Sequence, residues 1–135
     1  MRGEQGWSLG LFMGELGRDD RAYLVARDPV GGSVLGFAGG LFVIDDLHVT
    51  TVAVHPDARR RGVATLLMVD LLRRGAEAGM DNATLEVRAS NTAAIELYRH
   101  FGFAPVGTRS DYYRMADGTK EDALVLWATD IAGVD

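Results

Sequence analysis

The apolar period of this chain changes at Pro56, and that change sets what the chain can fold into. From Ala64, the positions Leu67, Met68, Leu71, Leu72 and Gly75 follow at i+3, i+4, i+7, i+8 and i+11, the stripe of one helix face. Asp70, Arg73, Arg74 and Glu77 fall on the other side, and Gly79 stops the helix. Before Pro56 the pattern is that of strands. Arg21 to Arg27 reads as one, and Asp28-Pro29-Val30-Gly31-Gly32 as the turn that follows. Val34 to Ile44 is the next, with a bulge expected at Gly39-Gly40. Asp45-Asp46 turns into a third, His48 to Val54. Short connections make these antiparallel neighbours.

The remainder alternates element types. Ala83 to Arg88 reads as a strand, with Leu85 and Val87 on one face and Thr84, Glu86 and Arg88 on the other. Asn91 or Ser90 caps a second helix with the stripe Ala94, Leu97, Tyr98 and Phe101, and Gly102 ends it. Phe103 to Thr108 and Ala123 to Thr129 read as two last strands joined by a polar turn around Asp117-Gly118. Near the start, Ser8 is expected to cap a short helix through about Leu16, ended by Gly17. The order is helix, three strands, helix, strand, helix, two strands: an α/β fold, a mixed sheet covered by helices.

At 135 residues this is a single domain, residues 1–135, and its composition of 47% hydrophobic and 24% charged residues is that of a globular protein. There is no cysteine, which excludes disulfides, a thiolate metal site and a cysteine nucleophile. His48, His55 and His100 share no ligand spacing, so no metal is expected and these histidines receive no role. A formal net charge of −5 argues against a nucleic-acid partner and suits a basic peptide. No uninterrupted apolar run reaches the ~18 residues a membrane span needs, and Met1 to Gly10 lacks the basic-then-apolar pattern of a signal peptide. A cytoplasmic protein without a membrane partner is expected.

The chemistry concentrates in Val52-Ala53-Val54-His55-Pro56-Asp57-Ala58-Arg59-Arg60-Arg61-Gly62-Val63-Ala64. A strand runs through a basic, glycine-containing loop straight into a long helix. The first amides of a helix have no internal partner and carry the positive end of its dipole, so such a loop can hold a pyrophosphate. The residues alone leave the alternative open, three arginines forming a solvated charge run.

Arg59-x-x-Gly62-x-Ala64 after a Val-Ala-Val strand resembles the coenzyme A loop of the GNAT superfamily of N-acetyltransferases. Leu85-Glu86-Val87-Arg88-Ala89-Ser90-Asn91-Thr92-Ala93-Ala94-Ile95-Glu96-Leu97-Tyr98, then Phe101-Gly102-Phe103, is similar to a segment of the bacterial ribosomal-protein-alanine acetyltransferases, which act on the N-terminus of ribosomal protein S18. Arg109-Ser110-Asp111-Tyr112-Tyr113, Asp117-Gly118 and Glu121-Asp122-Ala123 resemble that family's tyrosine pair and acidic turn, and Trp7-Ser8 a weaker N-terminal signature.

The resemblance implies acetyl transfer from acetyl-CoA, as co-substrate, to a protein N-terminal amine. Val52, Ala53 and Val54 would bond the pantetheine arm as an added strand, in a splayed gap beside Leu85 to Val87. Arg59, Arg60, Arg61, Gly62, Val63, Ala64 and Thr65 would wrap the pyrophosphate, and Asn91 would contact the cofactor from the next helix start. Glu86 matches the general base and Tyr98 the general acid. Each has a bland alternative: a solvated strand glutamate, and a tyrosine packed in the core. Tyr112 and Tyr113 either line an acceptor groove or are ordinary strand residues. Asp45-Asp46 is either a turn or an attractor of a basic peptide end. A lysine or small-molecule amine acceptor, and a module that binds acyl-CoA without turnover, are the competing functions.

Members of the family usually carry a strand and a helix ahead of the Trp-Ser signature, and only six residues precede Trp7 here. An N-terminally shortened domain is therefore expected, lacking the edge strand and first helix. That would leave Arg21 to Arg27 as an unpaired sheet edge, which favours a homodimer.

Overall fold

The computed structural model describes residues 10–14, 20–59 and 61–133. Its strands are β1 (Gly10–Gly14), β2 (Arg21–Arg27), β3 (Val34–Val43), β4 (Asp46–Val54), β5 (Asn82–Arg88), β6 (Ala104–Arg114) and β7 (Lys120–Ala128). Helix α1 (Val63–Glu77) joins β4 to β5, and α2 (Thr92–His100) joins β5 to β6. The strands form one sheet in the order β1-β2-β3-β4-β5-β7-β6. β4 and β5 are the one parallel pair among the described strands. The long helical connection explains this, because a parallel neighbour requires a crossover.

One face of the sheet carries the core. Val63, Leu67, Met68, Leu71, Leu72 and Gly75 of α1 are buried against Leu24, Leu35, Ala38, Leu47 and Val49. Tyr98 and Phe103 close the core beneath Leu85, Val87 and Leu126. The alternation expected for β5 holds: Ala83, Leu85 and Val87 are buried, and Thr84 and Glu86 only partly so.

Three expectations are corrected. The short helix from Ser8 to Leu16 is not formed over Gly10–Gly14, which is a strand pairing antiparallel with β2 from Gly10↔Arg27 to Gly14↔Tyr23. Two glycines in so short a helix would each cost about 1 kcal/mol, whereas the edge of β2 offers backbone partners. The unpaired β2 edge is overturned by the same pairing, so the free edges are β1 and β6, and the argument for a homodimer drawn from β2 goes with it. The bulge is real but sits across from the glycine pair. Gly40 pairs with Val49 and Gly39 with Thr51, so the extra residue is Thr50 on β4. It shifts the phase of that strand. Leu47 and Val49 enter the core before it, and Val52 and Val54 pack against the core after it.

Asp45 lies in the turn and Asp46 opens β4. The Asp45 carbonyl accepts from Asp81 N–H at 2.8 Å, and the Asp46 carboxylate accepts from Asn82 Nδ2 at 3.1 Å, which fixes the start of β5. The last strands are longer than expected, and β6 carries register shifts at Pro105/Gly107 and Arg109/Tyr113. Trp7, Ser8 and Arg60 lie outside the described residues. No helix among the described residues is long and apolar enough to cross a membrane.

Candidate active site

The site exists because β4 and β5 stop pairing early. Their register runs Asp46↔Asn82, Leu47↔Ala83, His48↔Thr84 and goes no further. Beyond His48, the edge of β4 that faces β5 has no strand partner. A cavity of about 360 Å³ opens there, lined by Thr50, Thr51 and Val52 on one side and Glu86, Val87 and Arg88 on the other, with Asn91, Tyr98 and Tyr113 around it. A second cavity of about 340 Å³ continues past Val54 to Arg59, Gly62, Val63, Ala64 and Thr65, and is closed by Ala93 and Leu97 of α2. Val52 and Val54 thus face the two cavities in turn. The side chain of Ala53 faces away, beside Phe37.

The start of α1 leaves its first amides without a side-chain cap. Gly62 is its N-cap in the left-handed conformation, φ 78°, where glycine carries no Cβ penalty, and no side chain caps the helix. The first intrahelical bond runs from Leu66 N–H to Gly62 C=O, so the amides of Val63, Ala64 and Thr65 meet the cavity with the positive dipole end behind them. Arg59 lines the same cavity, and Arg59 and Arg61 are both exposed. His55 has a local job: its Nδ1 accepts from Asp57 N–H at 3.1 Å and caps the turn Pro56–Ala58.

Asn91, rather than Ser90, caps α2, its side chain accepting from Ala94 N–H at 3.2 Å. The loop before it is held by Glu121, whose Oε2 accepts from Ser90 N–H at 2.7 Å.

Glu86 stands on the face of β5 opposite the core, its side chain only 14% exposed, and both oxygens are engaged. Oε1 lies 3.1 Å from His48 Nε2, and Oε2 lies 3.2 Å from Arg109 Nε. A carboxylate only accepts, so His48 donates through Nε2. Tyr98 lines the same cavity from α2, its ring 5.9 Å from that of Phe103. Burial, and secondarily Tyr113, raise its pKa above the ordinary 10.0, so its phenol is firmly protonated at neutral pH. Tyr98 is thus a core residue that also borders the cavity. Tyr113 borders the cavity and packs edge-on against Tyr112 at 5.1 Å, with Arg88 5.3 Å above its ring.

The structure brings Glu86, Tyr98, Asn91 and Val52 to one cavity, and Val54, Arg59 and Gly62 to Thr65 to the adjoining one. Two residues with no role in the sequence reading join them, His48 and Arg109. Strand alternation puts His48 on the face of Glu86 once β4 is known to lie parallel beside β5, a register that no local pattern encodes.

A sheet opened at one parallel pair beside an uncapped helix start is an arrangement that suits an acyltransferase using an acyl-coenzyme A donor. Residues 4–103 match the acetyltransferase (GNAT) family, and the chain belongs to that family. It is an acetyl-CoA-dependent N-acetyltransferase. A ribosomal protein bS18-alanine N-acetyltransferase of Salmonella typhimurium is 36% identical over 120 residues, covering 89% of this chain and 78% of that protein. The crystal structure of the ribosomal-protein-S18-alanine N-acetyltransferase from Escherichia coli superposes with a TM-score of 0.76 at 32% identity, over 84% of this chain and 71% of that one. Nourseothricin acetyltransferase superposes with a TM-score of 0.74 at 29% identity, over 83% and 66%.

Proposed function

We propose that this enzyme acetylates the α-amine of a protein N-terminus, and that the N-terminal alanine of ribosomal protein S18 is its acceptor. The observation that carries the reading is the setting of Glu86. It is a nearly enclosed carboxylate at the mouth of the β4/β5 gap, with hydrogen-bond partners on both oxygens. The names of relatives about a third identical over most of the chain support the choice of acceptor.

The residues present fit acetyl-CoA, which supplies the acetyl thioester. The free backbone edge of Val52, Ala53 and Val54 would hold a pantetheine arm. Arg59, Arg60, Arg61, Gly62, Val63, Ala64 and Thr65 would hold the pyrophosphate, mainly through the amides at the start of α1. Asn91 would close the site from α2. Glu86 takes the proton of the attacking amine, directly or through a water, and His48 orients its Oε1. Tyr98 holds a proton on its phenol oxygen for a leaving group that would otherwise depart as an anion.

Even with Glu86 as the proton acceptor, the acceptor's own pKa decides how readily it is deprotonated. An α-amine has a pKa near ~8 and a lysine near ~10.4, so the neutral, nucleophilic fraction at pH 7 differs by roughly two to three powers of ten. Such a site favours N-termini. The test is acetyl transfer to an Ala-Arg hexapeptide, with the acetyl group located by mass spectrometry, for the wild type and Glu86→Gln. Acetyl on the α-amine and a Glu86→Gln deficit that deepens towards low pH are expected. An unchanged pH–rate profile removes Glu86 from the role. The likeness to nourseothricin acetyltransferase favours a second reading, a small-molecule amine acceptor, and turnover of such an amine in place of the peptide would establish it.

A further inference from the structure

The two groups that touch Glu86 are held very differently. His48 lies on the sheet floor beside it, while Arg109 reaches over from β6 with 57% of its side chain in solvent. Arg109 touches a second group at the same time. Its guanidinium carbon is 5.4 Å from the centre of the Tyr112 ring, within cation–π range. β6 breaks register between Arg109 and Tyr113, and the break is pinned where Asp122 Oδ1 accepts from Asp111 N–H at 2.9 Å. An exposed cation, an enclosed carboxylate and an aromatic face against which the cation already rests are therefore neighbours. An acceptor amine arriving in its protonated form needs the same oxygen.

We infer that Arg109 is a placeholder for the acceptor: its guanidinium holds Glu86 Oε2 in the free enzyme and yields that oxygen to the incoming ammonium group, keeping its contact with Tyr112. This rests on the reading of Glu86 as the amine's proton acceptor. Its consequence is selectivity. A cationic amine replaces the charge that Arg109 withdraws, whereas a neutral group in the same place would leave an enclosed carboxylate unpaired. Arg109 is thus a specificity residue for protonated amines and does not touch the reacting atoms.

The test uses Arg109→Met, Arg109→Lys, the acceptor peptide, and its des-amino twin as a competitive inhibitor. In Arg109→Met, KM for the amine peptide falls roughly two- to fivefold, the range carried by an ion pair this exposed. The inhibition constant of the des-amino peptide does not move, and Arg109→Lys keeps the wild-type KM. An unchanged KM, equal shifts for both peptides, or a lower kcat with KM unchanged overturns the inference. Calorimetric affinities of the peptide for Glu86→Gln and for Glu86→Gln/Arg109→Met must agree, since the effect passes through Glu86; a difference also overturns it. If the wild type leaves peptide N-termini unmodified, the acceptor assignment fails separately, and the same comparison is made with the amine that is turned over and its des-amino analogue.

Discussion

Replacing Gly36 by alanine tests the tightest joint beneath the proposed cofactor strand. A Cβ there would lie 2.7 Å from the Ala53 carbonyl oxygen, 3.1 Å from Val63 Cγ1 and 3.3 Å from Leu67 Cδ1. The first contact is with backbone, which cannot rotate away, so β4 must move or α1 must lift. Overpacking of this kind costs about 1–3 kcal/mol. Unfolding a chain of 135 residues has an entropy of about 0.28 kcal/mol/K, at roughly 2.1 cal/mol/K per residue, so the melting temperature should fall by about 4–11 °C. Gly107→Ala is the control, because nothing lies within 4 Å of its would-be Cβ. Scanning calorimetry of both variants reads the difference. Titration with coenzyme A should also show weaker binding to Gly36→Ala, because Ala53 is the residue displaced. A Gly36→Ala melting temperature no lower than that of Gly107→Ala refutes the reasoning.

Three further outcomes are expected. Tyr98→Phe keeps the buried ring and loses the proton donor, so turnover drops roughly a hundredfold or more while the melting temperature stays near that of the wild type. With the Tyr98 pKa raised by burial, its contribution to stability is whole below the unfolded value of 10.0 and is lost as pH rises through the higher folded value, a window that alkaline denaturation of wild type and Tyr98→Phe compares. Asn91→Ala removes the cap bonded to Ala94 N–H and should lower stability in urea by about 1 kcal/mol.

What the sequence made legible was local. The α1 stripe, the alternation of β5, the Asn91 cap and the loop ending in Gly62 each encode their geometry within a few residues. The misses were matters of pairing. Gly10–Gly14 is helix or strand according to whether β2 lies alongside, and five residues are too few to decide. The glycine pair announced a bulge, but the residue expelled from the ladder is Thr50 on the partner strand, where no local signal marks it. His48 and Glu86 meet although they are 38 residues apart, and only the short parallel register of β4 and β5 joins them. Arg109 stood in a recognisable motif, yet its contact with Glu86 depends on both β7 pairings lying between them.

Because β4 and β5 share only three residue pairs, the seven described strands form two blocks joined by a short seam. An occupant running along the open seam supplies the backbone partners missing there and completes the sheet. The free energy of closing the seam belongs to folding as much as to binding. If acetyl-CoA is that occupant, the melting temperature rises with its concentration.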